Sequence, residues 1–355
     1  MRQTLVALAI GFAGGGIAAL LHVPAPWLAG SLVLAVAAVA MRVGLQLEDH
    51  LRTAAFLVLG IQIGMTVSED TLERAVHWPL SILLLALTVV AVVWASHLYY
   101  TRLRGWDAAT SLFASLPGAL SLVILLATQS GADMRRVVVS QCLRLFFLII
   151  AMPSLIVMIS APTGATVAPA LAGLRDLLLL LGASAAAGLL FDRLKVPAGL
   201  ILGAALMSAG LGLSGAIHGV APDWLLIPAN VVLGVMIALR FKGITWAELM
   251  AATLDGLAGL AIAVGLGVLG ALVTGWITGL PLPLTLLAFA PGGLEAMTIM
   301  AFALKLDPAY VAAHQVARYV GLVLFMPPVT AYLLRKPALQ GTAVPVRSAG
   351  TVEDN

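Results

Sequence analysis

An all-α, polytopic membrane protein built from two inverted repeats is the fold class this sequence predicts, and three observations predict it. Of 355 residues, 61% are hydrophobic and only 10% charged, with a mean hydropathy of +1.08; a water-soluble domain of this size needs more polar surface. The chain also matches itself at a shift of 174 positions. Pro117, Gly118, Leu120, Ala127, Asp133, Val137, Gln141, Arg144, Leu148, Met152 and Pro153 each meet their own residue type in the second half. Finally, the lysines and arginines sort to one side of a bilayer only if each half crosses it an odd number of times.

An apolar helix of roughly 17–25 residues crosses a bilayer, and shorter runs do so when sheltered by protein. In the first half, spans are expected over 5–21, 26–41, 53–67, 79–100 and 137–159, with an interrupted segment over 107–130. The second half repeats the order: 177–190, 198–213, 224–239, 254–278, an interrupted segment over 282–304, and 310–334. The expected organisation is a first repeat over 1–160, a linker over 161–173, an inverted second repeat over 174–336, and a polar tail over 337–355 that the composition leaves disordered. The run after Met1 and Arg2 reads as a transmembrane helix rather than a signal peptide, because its counterpart in the second half is internal. Cys142 is the single cysteine, which excludes an intrachain disulfide and a cysteine-based metal cluster.

Charge decides whether the interrupted segments cross. With Arg144 and Arg318 placed inside the bundle, seventeen lysines and arginines flank the spans. If both segments cross, these divide eight against nine, with no bias. If each enters and returns, fourteen gather on one side and leave Arg74, Arg175 and Lys305 opposite, as the positive-inside rule requires. Each half then has five spans and one re-entrant hairpin, both termini are cytoplasmic, and the second half is an upside-down copy of the first. The tips at Pro117-Gly118 and Pro291-Gly292-Gly293 are expected to approach one another near the midplane, where inverted-repeat transporters bind their solutes. Trp78, Trp94, Tyr99, Tyr100 and Trp106 read as interfacial aromatics at span ends.

Three sets of motifs carry a resemblance to a known family: Val23-Pro24-Ala25 with Gly30 and Val196-Pro197-Ala198 with Gly203; Leu116-Pro117-Gly118-Ala119-Leu120 and Ala290-Pro291-Gly292-Gly293-Leu294; and the paired Gln-x-x-Arg. The sequence resembles the AbrB-duplication family of bacterial inner-membrane proteins from about Leu5 to Leu334. The resemblance implies a duplicated membrane fold and supplies no substrate. Members carry labels as ammonia monooxygenases or regulators of gene expression, and neither label brings a site to transfer.

The expected substrate-binding set is Pro117, Gly118, Ser121, Gln141 and Arg144 from the first half, with Pro291, Gly292, Gly293, Glu295, Gln315 and Arg318 from the second. Spacing of i,i+3 places each glutamine and arginine on one helix face. A charge at that depth is expensive and needs a partner. Two guanidinium forks suit a carboxylate, sulfonate or phosphate; equally, they lock helices to hairpin carbonyls or to the buried acids Glu295 and Asp255. Pro-Gly at a tip frees N–H groups that attract anions, and also simply turns a chain. Glu295, whose counterpart is Ser121, offers a site for coupling to H⁺ or Na⁺, or an ordinary cap. Gln62 is expected to hydrogen-bond a neighbouring helix.

The histidines are scattered without close metal-ligand spacing, and no soluble basic domain meets nucleic acid. Neither an enzyme nor a DNA-binding protein is expected, and no cofactor or metal. The expected function is a secondary carrier in the inner membrane, moving a small anionic or zwitterionic solute by alternating access. Its partners are the lipid bilayer and the solute, and a homodimer stays open. The other reading is a membrane-embedded sensor that acts on gene expression indirectly.

Overall fold

The structure, a computed structural model, describes residues 2–340 apart from 68, 77, 119–122, 124, 125, 129, 160–170, 197, 218 and 245, with the backbone alone at 70, 72, 74, 246–253, 295, 327 and 330–340. In chain order the helices are α1 (Arg2–Leu20), α2 (Pro26–Ala40), α3 (Asp49–Gly64), α4 (Glu69–Ala75), α5 (Trp78–Leu98, closed by a π-turn over Tyr99–Leu103), α6 (Ala108–Ser115), α7 (Met134–Ile159), α8 (Leu174–Arg193), α9 (Gly199–Leu213), α10 (Asp223–Ala238), α11 (Trp246–Thr278), α12 (Leu282–Phe289), α13 (Leu294–Ala303) and α14 (Pro308–Gln340). Among the described residues seven helices are long and apolar enough to cross a membrane: α1, α5, α7, α8, α10, α11 and α14; α2 and α9 are shorter apolar helices.

Side chains are distributed as lipid demands. Leu83, Leu87, Val90 and Trp94 of α5 face outward, as do Leu269, Leu272, Val273 and Trp276 of α11, while Ser96, Thr110, Ser140, Gln141, Arg144, His314, Gln315 and Arg318 are buried. An apolar exterior around a polar interior makes this an all-helical, multi-pass membrane protein, because hydrocarbon solvates the outer side chains and the backbone satisfies itself within each helix.

The main helix pairs recur when the two halves are exchanged. Helix α1 packs on α2 as α8 packs on α9; α2 packs on α10 as α9 packs on α3; α5 packs on α6 and α14 as α11 packs on α12 and α7. In the pairs α3–α10 and α5–α11, each helix packs against its own counterpart from the other half. Turns repeat as well. His22, Ala25 and Arg42 have positive φ and recur as Lys195, Ala198 and Gly215, while Gly131 recurs as Lys305. Every non-glycine residue with positive φ among those described belongs to such a pair, so the copies share backbone conformations that most residues disfavour.

The helices approach closely where the sequence supplies glycine. A Cβ on Gly60 would lie 2.5 Å from Ile201 O, and one on its duplicate Gly234 would lie 2.8 Å from Leu28 O. Without a hydrophobic drive between helices in lipid, such contacts provide much of the cohesion.

The ends of the interrupted segments are fixed by side-chain contacts. Asp133 N–H donates to Thr110 Oγ1 at 2.7 Å, and the Arg136 guanidinium lies 5.1 Å over the Trp106 ring; the chain entering α6 therefore lies beside the chain entering α7. Tyr100 Oη donates to Asp255 O nearby at 3.4 Å. Along the α5–α11 pair, a Cβ on Gly270 would meet Thr88, and at the other end Trp78 packs edge-on against Tyr310 at 5.9 Å.

Several expectations need correction. Tyr100 and Trp106 are buried and stack at 4.4 Å with an interplanar angle of 11°, so they are packing residues rather than interfacial anchors. Helix α11 starts at Trp246, well before the expected 254, and α14 runs on to Gln340, into the stretch expected to be disordered. The short α4 was not anticipated. Most of the linker and the last fifteen residues, 341–355, lie outside the described residues.

Candidate functional site

Each interrupted segment breaks for the same reason. Pro117 and Pro291 have no N–H to donate, so α6 ends at Ser115 and α12 at Phe289; Gly118 then takes φ +98°, a conformation open to glycine. A helix end leaves up to four carbonyls without partners, and no water is at hand inside a membrane. The buried glutamines supply the donors. Gln141 Nε2 donates to Phe113 O and Leu116 O, both at 2.9 Å. Gln315 Nε2 donates to Leu287 O, Ala288 O and Ala290 O at 3.3, 3.4 and 3.5 Å. Phe113 and Leu287, like Leu116 and Ala290, are duplicate positions, so the same cap is built twice.

The arginines behave differently from one another. Arg318 donates from Nη1 to Ala290 O at 2.7 Å and from Nη2 to Gly292 O at 2.6 Å, and also to Gln315 Oε1. Arg144 donates from Nη2 to Gln141 Oε1, but its buried Nε has no partner. Asp255, a candidate partner from sequence, pairs instead with Arg104. Among the described residues no carboxylate pairs with Arg144 or Arg318.

The two tips meet. A Cβ on Gly118 would lie 3.5 Å from Gly292 O and 3.9 Å from Arg318 Nη2. Pro117, Pro291 and Gly292 are buried, and Gly118 and Gly293 half-buried. Gly293 precedes α13, whose first N–H groups are free of intrahelical bonds and favour negative charge. The structure thus brings Pro117, Gly118, Gln141 and Arg144 together with Pro291, Gly292, Gly293, Gln315 and Arg318. Ser121 and the Glu295 side chain lie outside the described residues.

The sequence model of the family described as Transition state regulatory protein AbrB matches residues 27–334, which include both tips and both Gln-x-x-Arg pairs. The chain belongs to this family. YhjN of Bacillus subtilis (strain 168), itself uncharacterised, is 27% identical over 353 residues, 90% of each chain. A protein of Escherichia coli (strain K12) named for a regulatory role, AbrB, is 27% identical over 341 residues, 92% of this chain and 93% of its own.

Sequence reasoning missed other polar groups in this AbrB-family chain. Ser96 and Ser140 are buried near Arg144, and His314 is fully buried, 2.8 Å from Ser81 Oγ through Nε2 and 2.8 Å from Tyr310 O through Nδ1. Ser140 and His314 are duplicate positions, and that non-identity beside an identical Gln-x-x-Arg is the signal that would have singled them out. Gln62 Oε1 has no hydrogen-bond partner, whereas the α3–α9 contact is bridged by Ser208 Oγ donating to Ile61 O at 3.0 Å.

Proposed function

We propose that this protein is a secondary carrier of the bacterial inner membrane that moves a small anionic or zwitterionic solute by alternating access. The observation that carries the reading is the meeting of Gly118 with Gly292 beside Arg318: two broken segments, one from each copy, converge on a place with buried cationic groups and open helix ends. Supporting it, the first segment begins and ends beside Asp133 and Thr110, whereas the second lies toward the end of the α5–α11 pair marked by Trp78 and Tyr310. On this reading each half contributes five spans and one re-entrant hairpin, the hairpins enter from opposite faces, and both termini are cytoplasmic. Carriers built this way rock one repeat against the other around a fixed midplane site.

Within this proposal the tips and Arg144 receive the anion. Gln141, Gln315 and Arg318 hold the hairpin backbone in shape. Glu295 is the candidate for coupling to H⁺ or Na⁺, with Ser121 as its counterpart. The protein acts as a carrier rather than an enzyme, needs no cofactor and has no nucleic-acid partner; a homodimer is compatible with it. The second reading is a membrane-embedded sensor that binds a solute without moving it and affects gene expression indirectly. The regulatory names of the family and of the Escherichia coli relative favour it. Counterflow in proteoliposomes separates the two: a carrier exchanges labelled for unlabelled solute across the bilayer, and a sensor shows no exchange with any solute that binds it.

A further inference from the structure

The two halves differ in the space beside their arginines. In the second half the Phe289 and His314 rings lie 6.4 Å apart, centroid to centroid, and a Cβ on Gly270 would come within 3.0 Å of Phe289 Cδ1. Rings fill that volume. The duplicate positions in the first half are Ser115, Ser140 and Ser96. Together with Tyr100 and Arg144, these three serines line a cavity of about 10 Å³, at the threshold for one water or one ligand oxygen.

What lines the cavity decides what it takes. Arg144 is only 6% exposed, and among the described residues its Nε, like Ser96 Oγ, is buried with no hydrogen-bond partner; Ser140 Oγ makes no hydrogen bond of good geometry and has the Tyr100 hydroxyl beside it. The Ser115 hydroxyl is already committed to Ser111 O at 2.6 Å. Guanidinium N–H groups only donate, and serine hydroxyls rotate to donate. Among the described residues no carboxylate lines the space, so a cation would meet the positive charge of Arg144 there. A neutral water would satisfy the hydroxyls and leave that charge uncompensated in a low-dielectric setting, which is costly. An anionic oxygen satisfies both needs at once.

We infer that one oxygen of a carboxylate on the solute occupies this cavity, held by Arg144 Nε–H and the hydroxyls of Ser96 and Ser140, with the rest of the solute reaching toward the Gly118–Gly292 contact. Arg318, already bonded to Ala290 O, Gly292 O and Gln315 Oε1, serves the hairpin instead. The inference rests on the carrier reading for the solute itself, while the subsite is testable alone.

The probe is sodium acetate, compared with sodium chloride at equal ionic strength, in thermal unfolding of the purified full-length protein. Acetate is expected to raise the melting temperature saturably beyond chloride, because a ligand of the folded state stabilises it by mass action. The Ser96→Ala/Ser140→Ala double variant should need at least about tenfold more acetate for the same rise. Ser184→Ala, a buried serine elsewhere, should respond like the wild type. No acetate-specific rise in the wild type, or an equal rise in the double serine variant, overturns the subsite. Acetate binding without counterflow of any solute keeps the subsite and overturns the carrier; counterflow without acetate-specific binding does the opposite.

Discussion

Gly118 and Gly292 face one another across the breaks of the two copies, with room for a Cβ on Gly118 only 3.5 Å from Gly292 O and at φ +98°. Gly118→Val therefore forces a branched side chain into a conformation it disfavours, at a cost of about 1–3 kcal/mol, and pushes the tips apart. Solute exchange is expected to fall at least about tenfold, since each 1.4 kcal/mol on a barrier is a factor of ten. Gly105→Ala, also at positive φ but with nothing within 4 Å of its Cβ, tests strain without the tip contact and should keep exchange within about twofold of the wild type.

Arg144 and Arg318 should separate function from stability. Arg318→Gln strands Gly292 O, at a cost of about 1–3 kcal/mol when left unpaired in the interior, and takes one donor from Ala290 O, which keeps that of Gly292 N–H; it should lower the denaturation midpoint clearly. Arg144→Gln loses one bond to Gln141 and relieves a buried charge, so its midpoint should stay near that of the wild type while exchange is abolished. Chemical denaturation read beside counterflow checks both, and equal destabilisation by the two substitutions would contradict the assignment.

The glutamine caps predict a third result. Gln141→Leu removes the donor for Phe113 O and Leu116 O, and Gln315→Leu removes that for Leu287 O, Ala288 O and Ala290 O. Gln141→Leu is expected to cost about 2–4 kcal/mol. Gln315→Leu should cost less per bond, because its contacts are longer; denaturant midpoints read the difference.

Helix crossings supply a fourth. A Cβ on Gly234 would lie 1.9 Å from Ser31 Oγ and 2.8 Å from Leu28 O, so Gly234→Leu must separate α2 from α10. Loss of monodisperse protein after extraction is the expected outcome, while Gly182→Leu, with open space around its Cβ, should purify normally.

Much of this site is legible in sequence because backbone chemistry forces it. A proline-glycine break inside an apolar run leaves carbonyls that only a buried donor can satisfy, and Gln141 and Gln315 announce those donors at the duplicate spacing. The inequality of Arg144 and Arg318 is not legible, because the local motif is identical and the difference lies in which carbonyls turn toward each guanidinium. Ser96 and Ser140 look like ordinary small residues until α5 and α7 both pack on α11. Tyr100 and Trp106 sit at a span end, as interfacial aromatics do, and only the stack between them, covered by Arg136 over Trp106, reveals their packing role.

The antiparallel arrangement of the halves is tested most directly by labelling single cysteines with a membrane-impermeant maleimide in a Cys142→Ser background. The sites are Gly105 and Gly131 at the two ends of the first broken segment, and Gly279 and Lys305 at the two ends of the second. Gly105→Cys and Gly131→Cys should react only from the cytoplasmic side, and Gly279→Cys and Lys305→Cys only from the outside. If the two ends of either segment react from opposite sides, that segment crosses the membrane, and the paired re-entrant hairpins are wrong.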